Sequence, residues 1–396
     1  ERQLGALSEP ARETLAAAAA LGPQFELSML AQVTGTPYAD VLQVATDALG
    51  RRLLWRDSRP GWFQFAHKRI HAKLRSSIDK DRLQRLHLEA AAYVEQHDPD
   101  DVFALALHYD AGGSREPALR KSLEAARDAR QKHSLSVAQD QLLISKRWVS
   151  ADDPQRGLEI FESLGEIQLL AGRYDDAAGF LREALKLAQS PLQKARVQQK
   201  IGELAFKRGR FADAATEYEH ALAMTGIRVP GNFLSMLFGL ASESFFQVIH
   251  TYLPAKWIAR NAPPAELDCL RLQLLSRLSH VYWFSRHKLW TLGNHLRSLN
   301  EAERFASSET LAAVYSEHGP VMSLLRWFDR ANRYARRSLE IRAQRENVWG
   351  QGQSHHYHSV VMLAECRFED AINTARRAVD LLRKMGDFWE MNMARY

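Results

Sequence analysis

Two stretches, Leu164–Leu185 "LGEIQLLAGRYDDAAGFLREAL" and Ile201–Leu222 "IGELAFKRGRFADAATEYEHAL", align residue for residue. Gly165 falls on Gly202, Gly172 on Gly209, Tyr174 on Phe211, Ala177 on Ala214, Leu181 on Tyr218 and Ala184 on Ala221, each pair 37 positions apart. A fixed period of this size marks an array of supersecondary units, each too small to bury its own apolar face. A glycine divides each stretch into two helical runs, so the unit reads as helix, turn, helix. Its small residues let neighbouring helices approach and its aromatics fill the gaps.

The frame continues. In "HGPVMSLLRWFDRANRYARRSLEI" the same places are taken by Gly319, Phe328, Ala331, Ala335 and Ser338. In "HSVVMLAECRFEDAINTARRAV", 40 positions further on, they are taken by Ser359, Phe368, Ala371, Ala375 and Ala378. "ALALHYDAGGSREPALRKSLEAARDA" and "RLSHVYWFSRHKLWTLGNHLRSLNEAER" read as degenerate units of the same kind. The pattern resembles the tetratricopeptide repeat. In this frame "WGQGQS" is the turn between two repeats, its glycines supplying positive-φ geometry, and "HHYHSVVMLAE" is the first helix of the next. His355 and His358, three apart, share a face without a carboxylate or cysteine, so they read as packing or groove-lining residues and not as metal ligands.

The N-terminal part follows a different plan. Ser8, Glu9 and Pro10 read as an N-cap and first turn, and Gly22-Pro23 ends an alanine-rich helix. "ELSMLAQVTG" stops at Gly35, and Pro37 opens a third helix with Val41, Leu42, Ala45 and Leu49 on one face. "RLLW" and "WFQF" flank "RDSRPG", which predicts a two-stranded sheet near residues 53–65. Three helices and a wing make a winged helix. Its third helix, "YADVLQVATDALG", carries Asp40, Asp47 and a single Gln43, with no basic residue before Arg51. That is a poor surface for a polyanion, although a winged helix that binds DNA stands as the alternative.

After the wing, "FQFAHKRIHAKLRSSIDKDRLQRLHLEAAAYVE" resembles the segment that follows the nucleotide-binding core in signal-transducing ATPases with numerous domains, the STAND branch of the AAA+ class. Phe65 and His67 match the wing-end pair, and Arg82 or Arg85 with His87 matches the Arg-x-x-x-His helix; Lys68 stands where relatives usually carry Asp. The resemblance implies that His67, with Lys68 beside it, senses the nucleotide phosphates. "NEAERFASSETLAAVYSEHGPVM", "YARRSLEIR", "WGQGQS" and "DFWEMNMARY" resemble the helical region of very large bacterial signalling proteins, in which a histidine kinase, a serine/threonine kinase or phosphatase, or a nucleotide cyclase is fused to the array. That likeness implies ATP or ADP in a preceding domain, oligomerisation on nucleotide binding, and a protein partner or another domain of the same chain on the repeats.

The fold class expected is therefore all-α: a winged helix with a small hairpin, then a TPR-like α-solenoid. The expected divisions are 1–95, winged helix; 96–150, degenerate repeat or connector; 151–226, two repeats; 227–265, connecting helices; and 266–396, further repeats with the last truncated. The opening "ERQLGALSEPARETL" and the closing "GDFWEMNMARY" are those expected of a segment of a longer polypeptide. Within 227–265 the apolar run 238–248 reads as too short to span a membrane.

Catalysis is not expected. No Gly-rich phosphate loop and no Gly-x-Ser-x-Gly elbow occurs, and carboxylates such as Glu183 and Asp213 have Lys186 and Arg210 three positions away, as on a solvated helix. His67 and His71 have the spacing of two zinc ligands, but "KRI" between them lacks a glutamate and no third ligand is near. Only Cys269 and Cys366 occur, 97 positions apart, which suits a reducing, cytoplasmic setting better than a disulfide framework. The net charge of +6 is spread along the chain. One charged feature is local: Arg330, Arg333 and Arg337 recur along one stripe of a second helix, a candidate strip for an acidic partner. Gly165, Ala177, Gly202, Ala214, Gly319, Ala331 and Ala371 are the structural signature of the repeats.

Overall fold

Small residues at fixed intervals allow helices to pack at close range. In the computed structural model, which describes residues 7–132, 134–252 and 262–396, they build an all-α chain of paired helices with one small sheet. Residues 1–6 of the first expected division, and 253–261 of the connector, lie outside the described residues. The chain divides into two compact units, Glu1–Asp153 and Pro154–Tyr396.

The first unit runs α1 (Glu9–Leu21), β1 (Gln24–Glu26), α2 (Leu27–Thr34), α3 (Tyr38–Gly50), β2 (Leu54–Arg56), β3 (Trp62–Phe65), α4 (Lys68–Arg75), α5 (Lys80–His97), α6 (Val102–Ala111), α7 (Arg115–Gln131) and α8 (Leu135–Trp148). The Ser8 hydroxyl accepts the Ala11 N–H at 3.4 Å, and Ala16 through Ala20 are all buried, an alanine run with neighbours on every side. The sheet is antiparallel and three-stranded, in the order β1-β3-β2, where a two-stranded hairpin was expected. The extra strand is three residues with one apolar side chain, too short to alternate. Phe25 makes it, by pairing with Phe63 and setting its ring 5.5 Å from Phe65 in the core.

The second unit is a series of helix pairs: α9 (Pro154–Leu170) with α10 (Tyr174–Leu187), and α11 (Pro191–Lys207) with α12 (Phe211–Met224). After α13 (Phe233–Tyr252) come α14 (Glu266–Ser285) with α15 (Lys288–Ala302), α16 (Glu309–Leu324) with α17 (Phe328–Gln344), α18 (Val348–Ala364) with α19 (Phe368–Lys384), and α20 (Phe388–Arg395). Ala177, Ala214 and Ala331 are fully buried between helices. A β-carbon on Gly165 would lie 2.7 Å from Leu181, and one on Gly202 2.9 Å from Tyr218, so each glycine is the space its partner side chain occupies.

Two expectations are corrected here. The apolar run in the connector is part of a 20-residue helix, α13, of which Phe233–His250 is long and apolar enough by length and composition to cross a membrane and is only 11% buried. Glu243 and Gln247 are polar residues inside the run. Both turn toward α15, where Asn300 donates to Glu243 at 2.7 Å and Gln247 donates to Asn300 at 2.7 Å. α12 packs directly on α14, so α13 is an insertion beside the helix-pair series.

The second correction concerns "WGQGQS", which is not a turn. It lies inside α18, capped by Asn347, whose Oδ1 accepts the Gly350 N–H at 2.8 Å. Its glycines are there for space: a β-carbon on Gly350 would meet Arg342 at 2.8 Å, and one on Gly352 would meet Leu382 at 2.8 Å.

Positive φ is found instead at the turn within four of the five pairs, all but α14–α15, and at Glu346 (φ 52°) just before α18. Gly172 and Gly209 hold this place in the first two pairs, Arg326 (φ 60°) and Cys366 (φ 62°) in the later ones. A β-carbon is strained in that region, so Arg326→Gly is expected to stabilise the array by about 0.5–1 kcal/mol. A rise in the urea midpoint at unchanged m-value is the measurement, and no rise would show that the arginine side chain offsets its own strain.

Candidate functional site

The first helices of successive pairs, α9, α11, α14, α16 and α18, pack side by side within the second unit. Between them runs a chain of polar contacts unusual for a helix interface. On α11, Lys200 reaches Glu162 at 3.3 Å and Glu166 at 3.0 Å on α9, and Arg196 bonds Glu162 at 2.9 Å. Glu203 accepts from the Tyr218 hydroxyl at 3.0 Å and pairs with Arg277 of α14 at 3.5 Å, and this carboxylate raises the Arg277 pKa further. Ser276 donates to Glu317 of α16 at 2.6 Å, and His280 meets the Tyr357 hydroxyl of α18 at 2.8 Å. Glu390 of α20 is buried, and burial raises its carboxyl above the usual range. These pairs tie each first helix to the next, and their partly exposed members, Arg196, Lys200, Glu203 and Arg277, make the row of first helices the candidate recognition face.

Arg342, on α17, is the largest fully buried side chain of the described residues. Its guanidinium donates to Glu309 at 2.8 Å, to the Gly350 carbonyl and the Ser354 hydroxyl at 2.7 Å each, and to Gln353 at 3.0 Å. Four acceptors around one buried cation, for four of its five N–H groups, form a network that fixes the α17–α18 crossing.

Histidines form a second internal motif. Arginine can only donate, so the Arg330 Nε contact at 3.1 Å makes His318 Nε2 an acceptor and puts the His318 proton on Nδ1. That proton is donated to His295 Nε2 at 2.9 Å. Burial holds both imidazoles neutral, His295 at about 3 and His318 well below its usual value. In the first unit, His87 and His108 meet through Nδ1 atoms 3.0 Å apart, and burial lowers each to about 4.

The residues singled out in the sequence are placed as follows. His67 and Lys68 are exposed. His67 has extended backbone (φ −143°) and precedes α4, where it makes no side-chain cap. It does not share the helix with His71, which packs edge-on against Phe65 at 5.4 Å, so the zinc-like spacing is not realised. The arginine stripe is divided. Arg330 is half-buried and donates to His318, to Gln247 at 2.6 Å and to Tyr334 at 3.2 Å, whereas Arg333 and Arg337 are exposed. On α3, Asp40, Gln43 and Asp47 are exposed. His358 is buried and reaches Asn332 at 2.9 Å, and among the described residues no cluster of three or more His, Cys, Asp or Glu is placed to hold a metal. Sequence reasoning did not single out Glu203, Arg277, Glu317 or Arg342 as site residues.

No protein-family model and no curated protein matches the chain. Among solved structures, it is similar to a signal transduction ATPase with numerous domains carrying a tetratricopeptide repeat sensor, from Pyrococcus horikoshii. The match covers 99% of this chain and 53% of the other, with 11% identity and a TM-score of 0.49. BtubC from P. vanneervenii is similar over 69% of this chain and 93% of its own, with 18% identity and a TM-score of 0.41. The chain thus spans about half the length of the first of these structures.

Proposed function

We propose that this chain is the regulatory, non-catalytic part of a multidomain signalling ATPase. In this reading the winged helix couples the nucleotide state of a preceding ATP- or ADP-binding domain to a TPR-like array that holds a protein partner or an output domain. The observation that carries the reading is the row of first helices, where the partly exposed Arg196, Lys200, Glu203 and Arg277 leave charged groups at the surface between packed helices. Such a face suits an extended segment of complementary charge. Arg333 and Arg337, exposed on α17, are a second candidate strip for an acidic partner.

The nucleotide link rests on the start of α4. Lys68 and Arg69 are exposed in its first turn, with no acidic residue there. Cations at a helix N-terminus oppose the dipole and cost about 0.3–1 kcal/mol, and an anion such as phosphate would offset that. His67 adds a hydrogen-bond donor at the same end. In the full-length protein, His67→Ala is expected to change nucleotide retention, while the melting temperature of this chain stays within about 1 °C. A fragment that melts several degrees lower, with nucleotide exchange unchanged, would make His67 a folding residue.

The DNA-binding alternative is disfavoured by Asp40 and Asp47 on the open face of α3. It predicts a steep salt dependence of affinity for duplex DNA, which docking of a protein need not show.

A further inference from the structure

Between α14, α15, α16 and α18 lies a cavity of about 260 Å³ that the partner-binding reading does not use. Its mouth is apolar: Trp283, Leu324 and Val360 stand there, 36%, 62% and 37% exposed. Its floor is polar and unfinished. Thr291 is 6% exposed and its hydroxyl has no hydrogen-bond partner. Glu317 is 9% exposed; Oε1 accepts from Ser276 at 2.6 Å, but Oε2 has no partner. His356 Nδ1 has none either. A buried carboxylate oxygen without a donor is costly, and with an unmatched hydroxyl and imidazole nitrogen on two other residues that line the same cavity it calls for a ligand that brings donors.

The other polar groups of the cavity are already committed. His280 donates Nδ1–H to the Ser276 carbonyl at 3.1 Å, which leaves Nε2 to accept the Tyr357 hydroxyl at 2.8 Å. His295 accepts from His318 through Nε2. Burial holds His295 neutral, and the carboxylate of Glu317 lines the cavity with it. Pro320, in the middle of α18's neighbour α16, lines it as well and removes the helical bond to the Ser316 carbonyl.

We infer that this cavity binds a small primary amine with an apolar, ring-sized body. An ammonium group has three N–H donors and no acceptor, which suits Glu317 Oε2, the Thr291 hydroxyl oxygen and, in the tautomer with its proton on Nε2, His356 Nδ1. Trp283 and Tyr357 supply aromatic wall, which favours a cation, and the volume lies just under the roughly 300–1,000 Å³ of drug-sized pockets, which favours a small ligand. The site is independent of the protein-partner reading, since it needs neither a partner nor a nucleotide.

The test is calorimetric titration of the 396-residue chain at pH 7.5 with 2-phenylethylamine and with 2-phenylethanol, which has the same stem without the charge. Saturable binding of the amine with Kd at or below about 1 mM, at least tenfold tighter than the alcohol, is expected. Glu317→Gln keeps the acceptor for Ser276 and should weaken the amine at least tenfold. Trp283→Ala, at the exposed mouth, should weaken amine and alcohol alike, and it serves as the diagnostic variant if Glu317→Gln does not fold. Glu340→Gln, on an exposed face, should change nothing. Absence of saturable amine binding to the folded wild type, equal binding of amine and alcohol, or undiminished binding by folded Glu317→Gln would each overturn the inference.

Discussion

Tryptophan at Ala177 or Ala214 is expected to abolish the folded state of its helix pair, at a cost of about 4 kcal/mol or more. Both alanines are 0% exposed. Ala177 packs in a cluster with Leu158, Leu181, Val197 and Leu204, and Ala214 in one with Tyr218, Leu222 and Leu278. An indole fits neither place unless the helices part, and parting them also vacates the Gly165–Leu181 and Gly202–Tyr218 contacts. Glu219→Ala should cost only about 1 kcal/mol. Its carboxylate accepts from Tyr282 at 2.8 Å and Arg286 at 2.7 Å, but it stands where water can replace it. In an array each pair leans only on its neighbours, so the loss should be local. Hydrogen exchange should show protection gone in α9–α12 and retained in α16–α19. Equal losses for Ala177→Trp and Glu219→Ala would refute the repeat register.

What was legible in the sequence was what repeats. Gly165 and Ala177 recur as Gly202 and Ala214, and recurrence separates a packing residue from an incidental one. The misreadings fall where one residue type serves two physical ends. Gly350 and Gly352 suit a positive-φ turn or a close approach equally well, and what decides is the side chain each must admit, the buried guanidinium of Arg342 at Gly350 and Leu382 at Gly352. The stripe of Arg330, Arg333 and Arg337 told which side chains share a helix face, not which end of that face meets α13. β1 carried no local signal at all, because Phe25 is held by rings some forty residues away. The buried histidines did leave a trace. The place before the first small residue of the frame holds Leu164 and Ile201 in the early repeats and His318 and His358 in the later ones. A histidine in a core position must find a partner inside, and these two do.

Those histidines make the fold sensitive to mild acid. Burial lowers His87, His108 and His355 to about 4 and His295 to about 3, and it lowers His318, His356 and His358 as well. In the unfolded chain each takes up a proton near pH 6.5, so between pH 6.5 and 4 the unfolded state binds more protons than the native one. Stability is therefore complete above pH 6.5 and is lost as pH falls toward the native values, at about 1.4 kcal/mol per pH unit for each histidine once well below 6.5. The coupled pair His87–His108 alone should cost the first unit about 3 kcal/mol between pH 6.5 and 5. Glu390 acts in the opposite sense, since its raised native value gains stability as pH falls through it, and one carboxyl offsets only part of the effect. Asp57 and Asp79, with lowered native values, lose their contribution at lower pH still. Urea titrations at pH 7.5, 6.5, 5.5 and 5 measure the slope, and the double variant His87→Gln, His108→Gln should flatten it for the first unit. A stability that stays level from pH 6.5 to 5, or a double variant as acid-sensitive as the wild type, would mean that the buried imidazoles take up protons as readily in the native state as in the unfolded chain.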